Sequence, residues 1–191
     1  QAVKKNTFRM SAILAADNDW AIGRDGGLLA RVPEDMRFFK DTTTGTTVVM
    51  GRKTWDSFPK RPLPGRENCV ISRTLKSAEG ARVFGSAEDF LEYAKGVSGE
   101  IFVIGGGEIY RQLLPECRRV FVTRIYESFG GDTFFPEIDR DGEWECTEAS
   151  ALAESGCHKI RFMLYERKSH DSGGVSGVLR DHRRCGSRPT L

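Results

Sequence analysis

Histidine is almost missing from this 191-residue chain: there are three, and two of them, His170 and His182, lie close to the end, which leaves His158 alone in the body. An imidazole-based nucleophile pair or metal cluster has almost no material there. Cysteine is present but poorly placed for its structural jobs. Cys69, Cys117, Cys146, Cys157 and Cys185 are scattered, odd in number and never spaced C-x-x-C, which argues against a disulfide framework or zinc site and for reduced thiols. Nothing reaches transmembrane length, and no apolar segment follows Lys4, Lys5 and Arg9 as a secretory leader requires. A reducing, cytoplasmic setting is the default. Excess charge is small too, a net +2 whose source is residues 169–191, where Arg180, Arg183, Arg184 and Arg188 outnumber Asp171 and Asp181. Residues 1–168 are formally neutral, so no nucleic-acid or membrane partner is expected.

What is there is an ordinary globular composition, 39% hydrophobic and 29% charged, in a chain long enough to bury about 70% of its unfolded surface. Residues 1–9 read as a polar leader, 10–168 as one domain and 169–191, rich in Ser, Gly and Arg without periodicity, as a disordered basic tail. Met10–Ala16 reads as a short buried strand and Asp17–Leu29, with Gly23, Gly26 and Gly27, as a long mobile loop. Pro33 opens a helix where proline is tolerated, with Glu34 and Asp35 in the first turn where the helix dipole favours acids. Thr46–Met50, Asn68–Ser72, Ala81–Phe84 and Glu100–Ile104 read as strands, Ser86–Lys95 as a helix with a serine cap and Glu108–Leu114 as another helix. The alternation predicts an α/β fold, a mostly parallel central sheet with helices on both faces. Arg119–Glu127, Trp144–Ser150 and Ile160–Arg167 follow without helices between them, so an antiparallel C-terminal edge is expected.

Ligands of open α/β sheets bind beyond the carboxyl ends of parallel strands. Three such places carry suitable residues. Gly51-Arg52-Lys53-Thr54 sets two cations, a hydroxyl and free backbone N–H groups at a helix start, which suits a phosphate, although a merely solvated helix start looks the same. Ile104-Gly105-Gly106-Gly107-Glu108-Ile109 lets backbone approach a ligand with no Cβ in the way, yet it is not G-x-G-x-x-G and a tight turn explains it about as well. Ser72-Arg73 offers a hydroxyl and a guanidinium at a third strand end. The distinctive carboxylate is Asp35, whose i+3 and i+4 neighbours are Phe38 and Phe39. Burial beside them raises its pKa; on the helix evidence alone, a surface acid stabilising the dipole is the better account.

Several segments recur in order along the chain: Ala21-Ile22-Gly23, the run from Val32 to Lys40, the run from Val49 to Trp55, Arg61-Pro62-Leu63-Pro64-Gly65-Arg66, Ile104-Gly105-Gly106-Gly107, and the run from Gly131 to Pro136. In that order and spacing, from about Met10 to Lys168, the chain resembles the dihydrofolate reductases. The resemblance implies NADPH-dependent reduction of 7,8-dihydrofolate to 5,6,7,8-tetrahydrofolate, with hydride passing to pterin C6 and a proton to N5. It also implies a monomer and a target for antifolate inhibitors.

By the same resemblance, Asp35 is the one ionisable group of the pterin pocket and binds N3 and the 2-amino group, with Thr123 joining it. Carbonyls of Ile13 and Ile104 would face the pterin 4-position, Met36 and Phe39 would sandwich the ring, and Ser57, Phe58 and Leu63 would line the benzoyl path. Arg66 would clamp the glutamate α-carboxylate, for which a planar fork is the right shape. NADPH would lie across Gly51, Arg52, Lys53 and Thr54, Ser72 and Arg73, and Ile104, Gly105, Gly106, Gly107, Glu108 and Ile109. Arg52 and Arg73 would read the 2′-phosphate; Ala15 and Ile22, beside Gly23, would hold the nicotinamide.

One position departs from the family pattern. Where Leu-Pro-Trp usually precedes the acid's helix, this chain has Leu28-Leu29-Ala30-Arg31, with Ala30 in the tryptophan's place. Two competing readings are a riboflavin-pathway pyrimidine reductase of the same fold, against which Asp35 and Arg66 argue, and an NADPH-binding protein without turnover. The basic tail admits a polyanion-binding arm as an alternative to a solvated linker.

Overall fold

β-Branched and aliphatic runs make the strands, and their lengths set where each helix can start. The computed structural model describes residues 9–169; apart from Arg9, which opens β1, and Ser169, the readings of a polar leader and a basic tail fall on residues outside these. In chain order the elements are β1 (Arg9–Ala16), β2 (Ala21–Gly23), α1 (Pro33–Thr43), β3 (Thr47–Gly51), α2 (Arg52–Ser57), β4 (Glu67–Ile71), β5 (Ala81–Phe84), α3 (Ala87–Ala94), β6 (Glu100–Gly105), α4 (Gly107–Leu113), β7 (Arg119–Ile125), β8 (Thr133–Phe134), β9 (Trp144–Ala149), β10 (Ala153–Ser155) and β11 (His158–Arg167). The main sheet runs β10-β11-β7-β1-β6-β3-β4-β5, with β9 also on β11. Pairings from β7 through β5 are parallel and those made by β11 antiparallel. The expected α/β architecture and its antiparallel edge are both present.

Alternating side chains of the strands feed two cores. On one face Val49, Val103, Leu14 and Val122 pack with Phe90 of α3 and Ile109 and Leu113 of α4. On the other Val48, Met50, Val70 and Phe102 pack with Phe38 and Phe39 of α1 and Trp55 of α2. This is the period of two expected of strands covered on both sides. Helix starts follow the expected chemistry: Pro33 occupies the first turn of α1 with Glu34 and Asp35, and Ser86 Oγ accepts the N–H of Asp89 at 3.1 Å to cap α3.

Asp17–Leu29 differs from its reading as a plain mobile loop. It contains β2, paired with β8 in a small second sheet, and it is pinned by a buried side chain. Asp17 Oδ1 accepts the N–H groups of Asp19 and Ala21, and Oδ2 accepts that of Phe129. Three hydrogen bonds account for a carboxylate with no solvent exposure. β2, β8 and β10, of three, two and three residues, are too short to show a periodicity and went unread.

The sheet also makes its own crevice. The β1–β6 ladder stops at Ala12 opposite Val103, whereas β1 stays paired with β7 as far as Ala16 opposite Arg124. The β3–β6 register shifts between Val49 and Met50. The carboxyl ends of β1 and β6 therefore part, and a ligand can enter between them.

Candidate active site

A cleft of about 1850 Å³ occupies that opening and runs along the carboxyl ends of the parallel strands. Every residue expected from the sequence at the substrate and cofactor positions lines it except Thr123. Thr123 is buried behind the wall on β7, and its Oγ1 donates to Asp35 Oδ1 at 2.5 Å.

Asp35 faces the cleft from the first turn of α1. Burial raises its pKa, and the Thr123 hydrogen bond opposes that rise without cancelling it. Among the described residues no ion pair joins it. A desolvated carboxylate held by one hydroxyl keeps acceptor positions for a ligand that brings two adjacent N–H donors. Phe39 lines the cleft with it, while Phe38 turns into the core against Phe162 and Phe121 at ring-centroid distances of 4.9 and 6.3 Å. Met36, a turn-mate of Asp35, is 45% exposed on the cleft's rim.

Tyr110 was missed as a site residue. From α4 its hydroxyl crosses under the cleft and donates to the Ile13 carbonyl oxygen at 2.7 Å. It is buried, and its pKa is raised by that burial and by the nearby Asp35 charge. The bond fixes the strand end that also presents Ala15. Its two residues are 97 positions apart, so local pattern carries no sign of it.

The outer part of the cleft is organised by Asn68, a second residue that sequence reasoning left as a strand position. Its Oδ1 accepts the N–H of Leu63, and its Nδ2 donates to the carbonyls of Leu63 and Arg66, all at 3.0 Å. These bonds hold the Leu63–Arg66 turn that carries Arg66. The guanidinium lies over the Phe39 ring at 5.9 Å and donates to Thr43 Oγ1 and the Pro64 carbonyl. Partial burial lowers its pKa, and no carboxylate pairs with it among the described residues. A half-desolvated cation in that position suits an anionic ligand group. Ser57, Phe58 and Leu63 line the wall between Arg66 and the strand ends.

Toward the other end, the ends of β3, β4 and β6 bring together the three glycine and basic segments. The backbone comes close at Gly51, where a Cβ would sit 3.0 Å from Ile109 Cγ1, and Gly105 holds φ +124°, a conformation that side chains disfavour. Gly51–Thr54, at the end of β3, and Ser72–Arg73, after β4, stand side by side, with the Gly105 turn of β6 on the other flank of β3. Arg52 donates to Thr74 Oγ1 at 3.0 Å and to Asp56 at 3.3 Å, whereas Lys53 and Arg73 are exposed with no ion-pair partner among the described residues. Cations with hydroxyls at their side, a Cβ-free floor and a cleft continuous with Asp35 fit a phosphate-rich dinucleotide. Across the floor Ile22 and Gly23 of β2 close the other wall beside Ala15.

A doubly covered, mostly parallel sheet with this cleft defines the class: a nucleotide-dependent α/β oxidoreductase. A family model for dihydrofolate reductase matches residues 9–167. A dihydrofolate reductase from Bacillus subtilis is 36% identical over 168 residues, covering 86% of this chain and 98% of the relative. One from Haemophilus influenzae is 38% identical over 160 residues, covering 83% and 98%. The solved structure of a dihydrofolate reductase from Enterococcus faecalis complexed with NADP(H) and RAB-propyl is similar at a TM-score of 0.76 and 35% identity, over 84% of this chain and 97% of that one. The chain belongs to the dihydrofolate reductase family.

Proposed function

We propose that this chain reduces 7,8-dihydrofolate to 5,6,7,8-tetrahydrofolate, and that Asp35 is the group on which the pterin is bound and polarised. The observation that carries the reading is a partly desolvated carboxyl, hydrogen-bonded to Thr123 and with no cationic partner among the described residues, in the same cleft as a basic, glycine-floored seat. Asp35 accepts hydrogen bonds from pterin N3 and the 2-amino group, and its negative charge favours a proton at N5. Thr123 keeps the carboxyl oriented. The carbonyls of Ile13, steadied by Tyr110, and Ile104 bound the inner end, and Phe39 and Met36 hold the ring between them. Arg66 takes the glutamate α-carboxylate, while Ser57, Phe58 and Leu63 set the path to it.

NADPH, when bound, supplies the hydride for pterin C6. Gly51, Arg52, Lys53, Thr54, Ser72 and Arg73 would hold its phosphates, the backbone of Gly105, Gly106, Gly107, Glu108 and Ile109 would approach it closely, and Ala15, Ile22 and Gly23 would orient the nicotinamide end. The proton reaches N5 from solvent at the Gly26–Leu29 rim, where Ala30 leaves room. The protein's share is orientation, exclusion of bulk water and a fixed negative charge. As part of the same reading, the chain works as a cytoplasmic monomer on small molecules and is open to antifolates; no helix among the described residues is long and apolar enough to cross a membrane.

The test is a purified-enzyme assay following NADPH absorbance with dihydrofolate and, separately, with a riboflavin-pathway pyrimidine. Oxidation of NADPH that depends on dihydrofolate is the expected result. Turnover only with the pyrimidine, or tight NADPH binding with no turnover, contradicts the reading.

A further inference from the structure

At the far end of the sheet from the nucleotide seat, β10 and β11 form a hairpin whose last pair is Ser155 opposite His158. Gly156 and Cys157 make the two-residue connection, and Gly156 takes the positive φ of 61° that such a turn requires. The turn leaves the Cys157 thiol exposed at the hairpin tip. Its Sγ lies 3.8 Å from His158 Nε2, and His158 Nδ1 is hydrogen-bonded to Glu127, which follows β7. The imidazole is held on a second side by the Phe129 ring, edge to face at 5.7 Å. The His158 side chain is 19% exposed and that of Glu127 40%. The base is therefore fixed in place while the nucleophile is open to solvent.

We infer that Cys157 is a reactive thiol, a site of mixed-disulfide formation with low-molecular-weight disulfides, and that His158 and Glu127 activate it. The three groups stand in the order of an assisted nucleophile: thiol, base in reach of it, and a carboxylate that orients the base. The thiolate is the attacking form and an ordinary thiol is only a few per cent ionised at neutral pH, so a neighbouring base decides the rate. The other described thiols have other surroundings. Burial pushes Cys69 and Cys117 up to about 12, and Cys117 and Cys146 donate to the backbone carbonyls of Leu113 and Glu148.

In the step itself the Cys157 proton passes to His158 Nε2 and the sulfur attacks one sulfur of the small disulfide. A bond forms between Cys157 Sγ and that sulfur, the original S–S bond breaks, and the second half leaves as a thiolate that recovers the proton from His158. One disulfide is exchanged for another, so no further oxidant is needed. The hairpin is not isolated from the cleft: Ser155 Oγ donates to Glu34, the residue before Asp35.

The experiment treats the full chain with a chromogenic aromatic disulfide at neutral pH and maps the labelled cysteine by peptide mass against time. Cys157 is expected to react at least about tenfold faster than Cys146, with its fast phase lost in Cys157→Ser and slowed severalfold in His158→Gln and Glu127→Gln. Circular dichroism and dihydrofolate turnover of Cys157→Ser should match the unaltered chain. Equal labelling of Cys157 and Cys146 in the unaltered chain overturns the inference without any variant, as does a folded His158→Gln that reacts at the original rate.

Discussion

Burial lifts the Asp35 carboxyl above its ordinary range, and that direction decides how pH acts on the free protein. Between the pH at which the unfolded chain loses this proton and the higher pH at which the folded chain does, the native state holds more protons. Stability from this group is present below that window and falls as pH rises through it. Asp35→Asn removes the buried charge while keeping an acceptor for Thr123 Oγ1. The ligand-free variant should therefore melt above the unaltered protein at pH 7, with the gap closing in acid where both forms are uncharged; thermal melts across pH check this. Ala30 is the other informative residue. It lines the cleft and packs at the edge of the cluster of Val32, Ile125 and Ile160, so an indole there has open space on the cleft side. Ala30→Trp should fold, bind NADPH as before and change turnover severalfold without abolishing it, as steady-state kinetics and NADPH titration would show. The place of Asp35 on the cleft was legible through the family segments around it, since its helix and phenylalanine neighbours alone favoured a surface acid. Its partner Thr123, 88 positions away, came only through family resemblance, and Tyr110 as anchor of the Ile13 carbonyl was not read.

Among the elements, the long strands and capped helices were legible because each carries its own signal: a β-branched run, Pro33 in a first turn, Ser86 at a helix start. β2 and β8 were not, because a three-residue and a two-residue strand are specified by what they meet. Their pairing depends on the Asp17 clamp and on close packing at Gly131, where a Cβ would lie 2.6 Å from Ala21 Cβ. The Leu63–Arg66 turn shows the same dependence, since its three hydrogen bonds come from one side chain on β4. Asn68→Ala breaks all three and leaves the Leu63 and Arg66 groups to find water. It should cost on the order of 1–3 kcal/mol of stability and raise KM for dihydrofolate through Arg66, with kcat and KM for NADPH little changed. Denaturant unfolding and two-substrate kinetics separate this from general damage, which would lower all of them together.

At the scale of the whole molecule, the parting of β1 from β6 joins an acid-bearing pocket and a basic, glycine-floored seat into one cleft. Among the described residues its lining lies within residues 13–133. Removing residues 170–191 is expected to leave kcat and both KM values unchanged, whereas a marked loss would mean that the tail takes part. The role of Asp35 is tested most directly by a single comparison, turnover and NADPH binding of Asp35→Asn beside the unaltered enzyme at pH 7. Turnover of dihydrofolate should fall on the order of 10²-fold or more, with NADPH affinity unchanged within about twofold, because the amide keeps the shape but can neither carry the charge nor accept as an anion. Near-normal turnover by the folded variant would contradict the account.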